Sequence, residues 1–241
     1  MTASNQEIRA AVVRACQMAY QSGAAGLGLA GHVSHRAGPN RMVLKPRPVN
    51  WLTLTPDELV EYDFEGNRVD GPMTSMTSCD EWTIHSQIYE AHPHINAVIH
   101  AHPPDSTLMV SLGIEFEPLT RETSAFYKEL AVDSRPEVQH KIVDKDNANK
   151  MVAIMGKRRA CVLKYHGTVI CGETLEEMNY AAAELEIGAR TMIQAVAAKK
   201  QPILTPADIK DRESVMVDAA TRRFRAAERM GIMRKYYAER K

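Results

Sequence analysis

Hydrophobic residues recur at helical spacing near both ends of the chain, which indicates two amphipathic helices. The first is predicted over residues 5–22, with Ser4 or Asn5 as its N-cap. The second is predicted over 175–198, where Thr174 and Glu177 form a capping-box pattern at its start. The apolar stripe of the first helix comprises Ile8, Ala11, Val12, Ala15 and Ala19.

Between these helices, short apolar runs bounded by glycine and proline predict strands. The predicted strands cover 41–45, two pieces within 57–71, 96–102, and two pieces that meet at a turn beside His166. Shorter helices are predicted over 79–91, 105–112 and 147–155. Residues 23–32 are rich in glycine and read as a loop or a tight entry into a strand. This order predicts an α/β or α+β domain with one central sheet and helices on its faces.

Composition limits the function classes. A chain of 241 residues with 44% hydrophobic residues can form one sizeable core. It carries 30 basic and 30 acidic residues, so no charge bias favours nucleic acid or membrane surfaces, and we expect neither as a partner. We expect no signal peptide and no membrane span, because the first residues lack a basic segment followed by an apolar one and no apolar run approaches about 20 residues. Four widely spaced cysteines then predict reduced thiols in a cytoplasmic protein.

Two histidines in a predicted strand are the strongest chemical signal. His100 and His102 are two residues apart, so their imidazoles project from the same face of the strand. His166 ends a second predicted strand and would complete a three-histidine metal site with an open coordination position. An isolated His-x-His pair is also typical of two half-buried histidines with backbone partners, and the pair His92 and His94 reads as a solvated loop.

Glu81 and His85 are four residues apart on the helix predicted just before this strand, so they share one face. Glu81 could act as general acid and base beside a metal-bound substrate. The alternative is a charge or ion pair on the surface of the helix.

Together these blocks resemble the class II aldolase/adducin family over residues of about 8–200. The matching motifs are Glu81-x-x-x-His85, then NAVIHAHP, then LKYHGTVICGETLEEM. The resemblance implies a single three-layer α/β/α domain over 1–205 with a central, mainly antiparallel sheet, followed by a helical C-terminal tail over 206–241. It also implies a homotetramer with active sites at subunit interfaces.

The same resemblance assigns roles to residues. His100, His102 and His166 match the ligands of a divalent metal ion, which could be zinc, manganese, cobalt or iron. Glu81 matches the catalytic acid/base. The expected reaction is a lyase reaction in which the metal stabilises an enolate-type intermediate.

Two loops depart from the pattern of the sugar-phosphate members. His32 occupies the position of an asparagine, and residues 45–48 read Lys-Pro-Arg-Pro where those enzymes read Thr-Pro-Ser-Gly. Proline has no N–H to donate, so we do not expect a substrate phosphate. The cations of these loops predict a carboxylate pocket instead, although each could be a solvated loop charge. They are His32, Arg36, Lys45 and Arg47.

The form of the first loop resembles that of adducin-like members and that of decarboxylases acting on dihydroxyphthalate or on hydroxymethylpyridine dicarboxylate. We therefore expect a metal-dependent decarboxylase of a hydroxylated aromatic or heteroaromatic dicarboxylate. One alternative is a metal-dependent aldolase for a non-phosphorylated, carboxylated substrate, and another is a non-catalytic adducin-like assembly protein. Tyr236 is a candidate substrate contact from the tail, with Tyr237 and Tyr127 as further candidates.

Overall fold

The computed structural model describes residues 4–47, 49–72, 79–117, 119, 126 and 129–199. The strands within these ranges are β1 (His32–Gly38), β2 (Arg41–Leu44), β3 (Val60–Asp63), β4 (Arg68–Asp70), β5 (Ala97–Ala101), β6 (Leu130–Asp133), β7 (Ala160–Leu163) and β8 (Gly167–Gly172). The helices are α1 (Asn5–Gln21), α2 (Trp82–Ala91), α3 (Pro104–Ser111), α4 (Lys145–Met155) and α5 (Leu175–Ala197).

All eight described strands form one sheet, in the order β4-β3-β2-β1-β5-β8-β7-β6. Neighbouring strands are antiparallel except β6 and β7, which are parallel. Side chains of α1, α3 and α5 share one buried cluster on one face of the sheet. Side chains of α2 and α4 share a second cluster on the other face. The predicted three-layer fold with a mainly antiparallel sheet is confirmed.

The two long helices begin where the sequence places them. Ser4 accepts a hydrogen bond from the Glu7 N–H, and the Glu7 carboxylate accepts one from the Ser4 N–H, so the capping box is complete. At α5, Thr174 accepts from the Glu177 N–H, but the Glu177 carboxylate accepts from the Glu173 N–H instead of closing the box. The buried stripe of α1 packs against α5 and β1.

Three predictions about local structure are wrong. The segment 31–36, which the resemblance treats as the first loop, lies largely in β1, between β2 and β5 near the centre of the sheet. Helix α2 begins at Trp82 rather than at residue 79, so Glu81 is its N-cap residue and not part of its face. Strand β6 was not predicted. Each of these elements is short, so tertiary contacts rather than local pattern decide its bounds.

All four cysteines are buried free thiols, as predicted. Cys161 pairs in register with Val169 across β7 and β8, so it does not face Cys171. No described helix combines the length and the apolar character needed to cross a bilayer. The predicted tail over 206–241 lies outside the described residues.

Candidate metal centre

The three predicted metal ligands converge at one end of the central strands. His100 lies near the end of β5, His102 follows that strand directly, and His166 directly precedes β8, the strand that pairs with β5. The ring centroids of the three imidazoles are 4.9–5.0 Å apart. One nitrogen from each ring lies within 4.8 Å of the others. This is a compact three-nitrogen site.

Backbone carbonyls hold the outer edges of two of these rings. Nδ1 of His100 lies 3.0 Å from the Thr168 carbonyl oxygen, and Nδ1 of His166 lies 2.7 Å from the Val138 carbonyl oxygen. A carbonyl oxygen only accepts, so both Nδ1 atoms carry hydrogen and both Nε2 atoms present lone pairs. Nε2 of His102 is 3.2 Å from Nε2 of His100. Converging lone pairs with fixed outer hydrogen bonds are the arrangement that a divalent metal ion requires.

Burial keeps these imidazoles neutral, which is the form that binds metal. It lowers the pKa of His100 well below the ordinary value, with further lowering from the neighbouring His166. It lowers the pKa of His102 to about 4, and it also lowers that of His166. The donor set therefore suits a divalent cation at neutral pH without competition from protons.

Glu81 faces the three histidines from the N-terminus of α2. Its Oε2 lies 3.6 Å from Nε2 of His100, and its Oε1 lies 3.7 Å from Nε2 of His166. The Ile142 N–H donates to Oε1 at 3.1 Å and fixes the carboxylate. Burial raises the pKa of Glu81, although the Ile142 N–H and the charges of Lys141 and Arg47 oppose this. The position and the raised pKa both suit a proton donor.

His32 also reaches the site, through β1. It is in register with His100 on β5, and its Nε2 lies 3.7 Å from Oε2 of Glu81. Its Nδ1 is 3.1 Å from Nε2 of His85, the other histidine of the Glu81-x-x-x-His85 motif. Burial lowers the pKa of His32 well below the ordinary value, and His85 and Lys45 lower it further. A neutral His32 therefore lies beside both the acid and the metal ligands.

The other predicted carboxylate-binding cations do not gather here as a set. Arg36 lies four strand positions from His32, about 13 Å along β1. Its guanidinium donates to the carbonyl oxygens of Tyr89 at 2.7 Å and Ile95 at 3.1 Å, over the Tyr89 ring. These contacts place Arg36 at the C-terminal end of α2, and its predicted role in substrate binding stays a prediction.

Lys45 is fully buried, and its ammonium donates to the carbonyl oxygens of Pro46 and Arg47 above the Trp51 ring. Burial lowers the pKa of Lys45 to about 8. These contacts give Lys45 a structural role in the turn, and its predicted role in substrate binding stays a prediction. Arg47 is exposed, and its charge contributes to lowering the pKa of His102 and Glu81. Arg47 is thus a predicted cation that is exposed to solvent and still influences the electrostatics of the site.

Other residues of the site were missed or lie outside the described residues. Tyr236, Tyr237 and Tyr127 lie outside them, so their predicted roles remain predictions. Val138 and Ile142, which hold His166 and Glu81, were missed. They make these hydrogen bonds through backbone atoms, which every residue type has, so the sequence carries no signal for them. Ser34 and Tyr89, which extend the contacts of His85, were also missed. Ser34 would have been found by its two-residue spacing from His32 if β1 had been predicted.

Comparison with known proteins agrees with this geometry. A sequence model of the class II aldolase and adducin N-terminal domain matches residues 10–193. The 5-methylthioribulose-1-phosphate/5-deoxyribulose-1-phosphate aldolase of Rhodospirillum rubrum is 30% identical over 189 residues, which cover 77% of this chain and 80% of that protein. The 3,4-dihydroxyphthalate decarboxylase of Arthrobacter keyseri is 26% identical over 197 residues, 79% of each chain.

Solved structures share the fold. An aldolase II superfamily protein from Pseudomonas syringae superposes with a TM-score of 0.82 at 21% identity, covering 95% of this chain and 94% of its own. The L-fuculose 1-phosphate aldolase of Glaciozyma antarctica superposes with a TM-score of 0.78 at 20% identity, covering 94% and 90%. With the family match over most of its length and aldolases and decarboxylases as relatives, the chain is a carbon–carbon lyase that belongs to the class II aldolase and adducin family.

Proposed function

We propose that this lyase is a divalent-metal-dependent decarboxylase of a hydroxylated aromatic or heteroaromatic dicarboxylate. The observation that supports this most strongly is the altered turn after β2. Pro46 has no N–H to donate, and the Lys45 ammonium is bound by two backbone carbonyl oxygens instead of facing a ligand. A turn of this kind is a poor phosphate cradle, which favours the decarboxylase relative over the sugar-phosphate relatives.

The metal would be held by His100, His102 and His166, whose Nε2 lone pairs converge. Zinc, manganese, cobalt and iron all accept three imidazoles, so availability would decide among them. When bound, such an ion supplies Lewis-acid stabilisation of negative charge on a substrate oxygen. The remaining steps belong to the side chains around it.

Glu81 would manage the proton. In decarboxylation the bond between the ring and one carboxylate breaks, carbon dioxide leaves, and the electron pair stays on the ring. The ring carbon then takes a proton, which the buried Glu81 carboxyl can deliver because its pKa is raised. The Ile142 N–H keeps the carboxyl pointed at the site during this transfer. Water returns the proton to Glu81 after the product leaves.

Arg47 would bind the second carboxylate. It is exposed, yet its positive charge contributes to lowering the pKa of Glu81, His102 and His32. A guanidinium can hold a carboxylate through two parallel hydrogen bonds, which would orient the ring and leave the other carboxylate free to depart.

Aldol cleavage is the second candidate, and a specific comparison favours it: the Rhodospirillum rubrum aldolase is 30% identical, against 26% for the decarboxylase. The same acid and the same three ligands would serve an aldolase, whose substrate here would be carboxylated rather than phosphorylated. The adducin-like alternative, a protein without catalysis, has no physical need for a buried acid beside converging lone pairs.

We also propose that the chain works as a homotetramer with active sites at subunit interfaces. Leu27 and Leu29 are 81% and 79% exposed on the turn before β1. That turn packs against the backbone of His102, so closely that a Cβ at Gly26 would clash with the His102 carbonyl oxygen. Exposed leucines at such a place suit contact with a second copy of the chain.

A product assay tests the reaction. The purified protein is loaded with zinc or manganese and given 3,4-dihydroxyphthalate, pyridine dicarboxylates with a hydroxyl group, and carboxylated hydroxy-ketones. We expect carbon dioxide from an ortho-hydroxylated diacid, and a loss of at least about a hundredfold in kcat for Glu81→Gln with the metal retained. Glu90→Gln, on the far side of α2, is the matched control. Aldehyde or ketone products from the hydroxy-ketones would establish aldol cleavage instead.

A further inference from the structure

A buried chain of hydrogen bonds runs from His32 away from the metal centre. His32 Nδ1 contacts His85 Nε2 at 3.1 Å, and His85 Nδ1 contacts Ser34 Oγ at 2.7 Å. Ser34 Oγ contacts the Tyr89 hydroxyl at 2.7 Å, and that hydroxyl reaches the Asn96 carbonyl oxygen at 3.4 Å. The residues His32, Ser34, His85 and Tyr89 are all at most 1% exposed. Water therefore has little access to exchange partners with them.

The number of hydrogens fixes the direction of this chain. Neutral His32, neutral His85, Ser34 and Tyr89 each supply one hydrogen, and the chain has four contacts to fill. The Asn96 carbonyl can only accept, so all four contacts are filled only if Tyr89 donates to Asn96 and Ser34 donates to Tyr89. His85 must then donate from Nδ1 to Ser34.

The same count of hydrogens determines which nitrogen of His32 is protonated. With its hydrogen on Nδ1, His85 has a lone pair on Nε2, and His32 must donate to it from Nδ1. This leaves His32 Nε2 without hydrogen. If every hydrogen pointed the other way, the Asn96 carbonyl would receive none and only three of the four contacts would be hydrogen bonds. The hydrogen of His32 would then lie on Nε2 and point toward Glu81 Oε2, but that distance is 3.7 Å and is too long for a hydrogen bond.

We propose that His85, Ser34 and Tyr89 are positioning residues that fix His32 as its Nδ1–H tautomer, so that its Nε2 accepts a hydrogen bond from a substrate hydroxyl. The ligand class follows from this. A lone pair repels a carboxylate, so His32 does not hold the carboxylate first predicted for it. It selects substrates with a hydroxyl group close to the metal-bound oxygen, as in an ortho-diol. The proposal rests on the proposed function for its substrate but not for its tautomer.

Neutron diffraction tests the tautomer without any turnover. Crystals of the zinc-loaded protein are exchanged into heavy water, and deuterium is located on each ring. We expect deuterium on Nδ1 of His32 and Nδ1 of His85, and none on Nε2 of His32. Deuterium on Nε2 of His32 would overturn the proposal. Because no substrate is involved, this result stands apart from success or failure of the decarboxylase assignment.

A pair of ligands tests the hydroxyl preference. The probes are 2,3-dihydroxybenzoate and 2-hydroxy-3-methoxybenzoate, titrated calorimetrically into the zinc-loaded protein. We expect Ser34→Ala to reduce the preference for the diol about tenfold relative to the wild type. Without the Ser34 hydroxyl the series of hydrogen bonds is broken, so it no longer fixes which nitrogen of His32 carries the hydrogen. Metal chelation by the diol is common to both proteins and cancels in this comparison.

Ser86→Ala is the matched control, since Ser86 is an equally buried serine on α2 outside the chain. It should keep the wild-type preference. Tyr89→Phe breaks the chain one step further along and serves if Ser34→Ala does not fold. An unchanged preference in a folded Ser34→Ala or Tyr89→Phe protein would show that the chain does not control His32.

Discussion

At the scale of single residues, the site is a group of imidazoles that burial keeps uncharged. His100 and His32 are almost fully enclosed, and neighbouring rings make a charge on either still less favourable. A metal ion binds the same lone pairs as a proton, so imidazoles that are already neutral can bind a cation without first releasing protons. The convergence of His100, His102 and His166 could be predicted from sequence because strand alternation and short motifs place them.

Replacing one ligand should empty the centre. We expect about one divalent ion per chain in the wild type and almost none in His102→Ala, since two imidazoles rarely hold such an ion against exchange. Elemental analysis after gel filtration measures this. His94→Ala is the control, because His94 is exposed and outside the triad. Full metal content in His102→Ala would contradict the assignment of this residue as a ligand.

Acid should destabilise the chain through His85. Burial lowers its pKa to about 3, against 6.5 for the unfolded chain. Between these values the unfolded chain binds a proton that the folded chain does not, so stability is complete above pH 6.5 and falls as the pH drops towards 3. The cost from pH 6.5 to pH 5 is about 2 kcal/mol.

Urea unfolding of the metal-free protein at pH 7 and pH 5 measures this cost. The loss should be smaller by about 2 kcal/mol in His85→Gln than in the wild type, because glutamine does not titrate. His94→Gln, at an exposed position outside the three-histidine site, should lose as much as the wild type. Equal losses in His85→Gln and wild type would show that His85 is not kept neutral by the fold.

At the scale of elements, the site depends on strands that approach closely. Gly167 begins β8 beside the end of β5, where a Cβ would lie 2.8 Å from His102 Cδ2 and would press on the Ala101 carbonyl. A side chain there must move the backbone that carries His102. Glycine at this position is therefore part of the metal centre although it binds nothing itself.

Gly167→Ala should weaken metal binding about tenfold without unfolding the chain, because one ligand is displaced while the core is unchanged. Competition with a chromophoric zinc chelator gives the affinity. Gly38→Ala is the matched control, since a Cβ at Gly38 finds only Arg41 Cβ, at 3.9 Å. An unchanged affinity in Gly167→Ala would mean that β5 tolerates the added methyl group.

The elements also show where prediction from sequence ends. Helices α1 and α5 have long apolar stripes and caps, so local pattern defines them. Strand β1 has the polar sequence His-Val-Ser-His-Arg-Ala-Gly, and only its two neighbours in the sheet make it a strand. Because β1 was read as a loop, the alternation that places His32 and Ser34 on the same face as His85 could not be used.

At the scale of the whole molecule, the exposed leucines of the turn before β1 predict assembly. Leu27→Asp combined with Leu29→Asp should reduce the mass measured by light scattering, because charges would be buried at the interface. Val143→Asp is the control, since Val143 is 51% exposed on a different segment. An unchanged mass in the double variant would place the subunit interface elsewhere.

One short stretch of backbone, residues 138–142, holds both a proposed metal ligand and the proposed acid. The Val138 carbonyl fixes the ring of His166, and the Ile142 N–H fixes Glu81. Thr83 on α2 anchors the stretch through the Ile142 carbonyl. A displacement of this stretch shifts ligand and acid in the same direction, so their separation changes less than either position. A substitution that shifts residues 138–142 therefore moves the His166 ring and the Glu81 carboxylate together. Evolution of this stretch would change the positions of both groups at once.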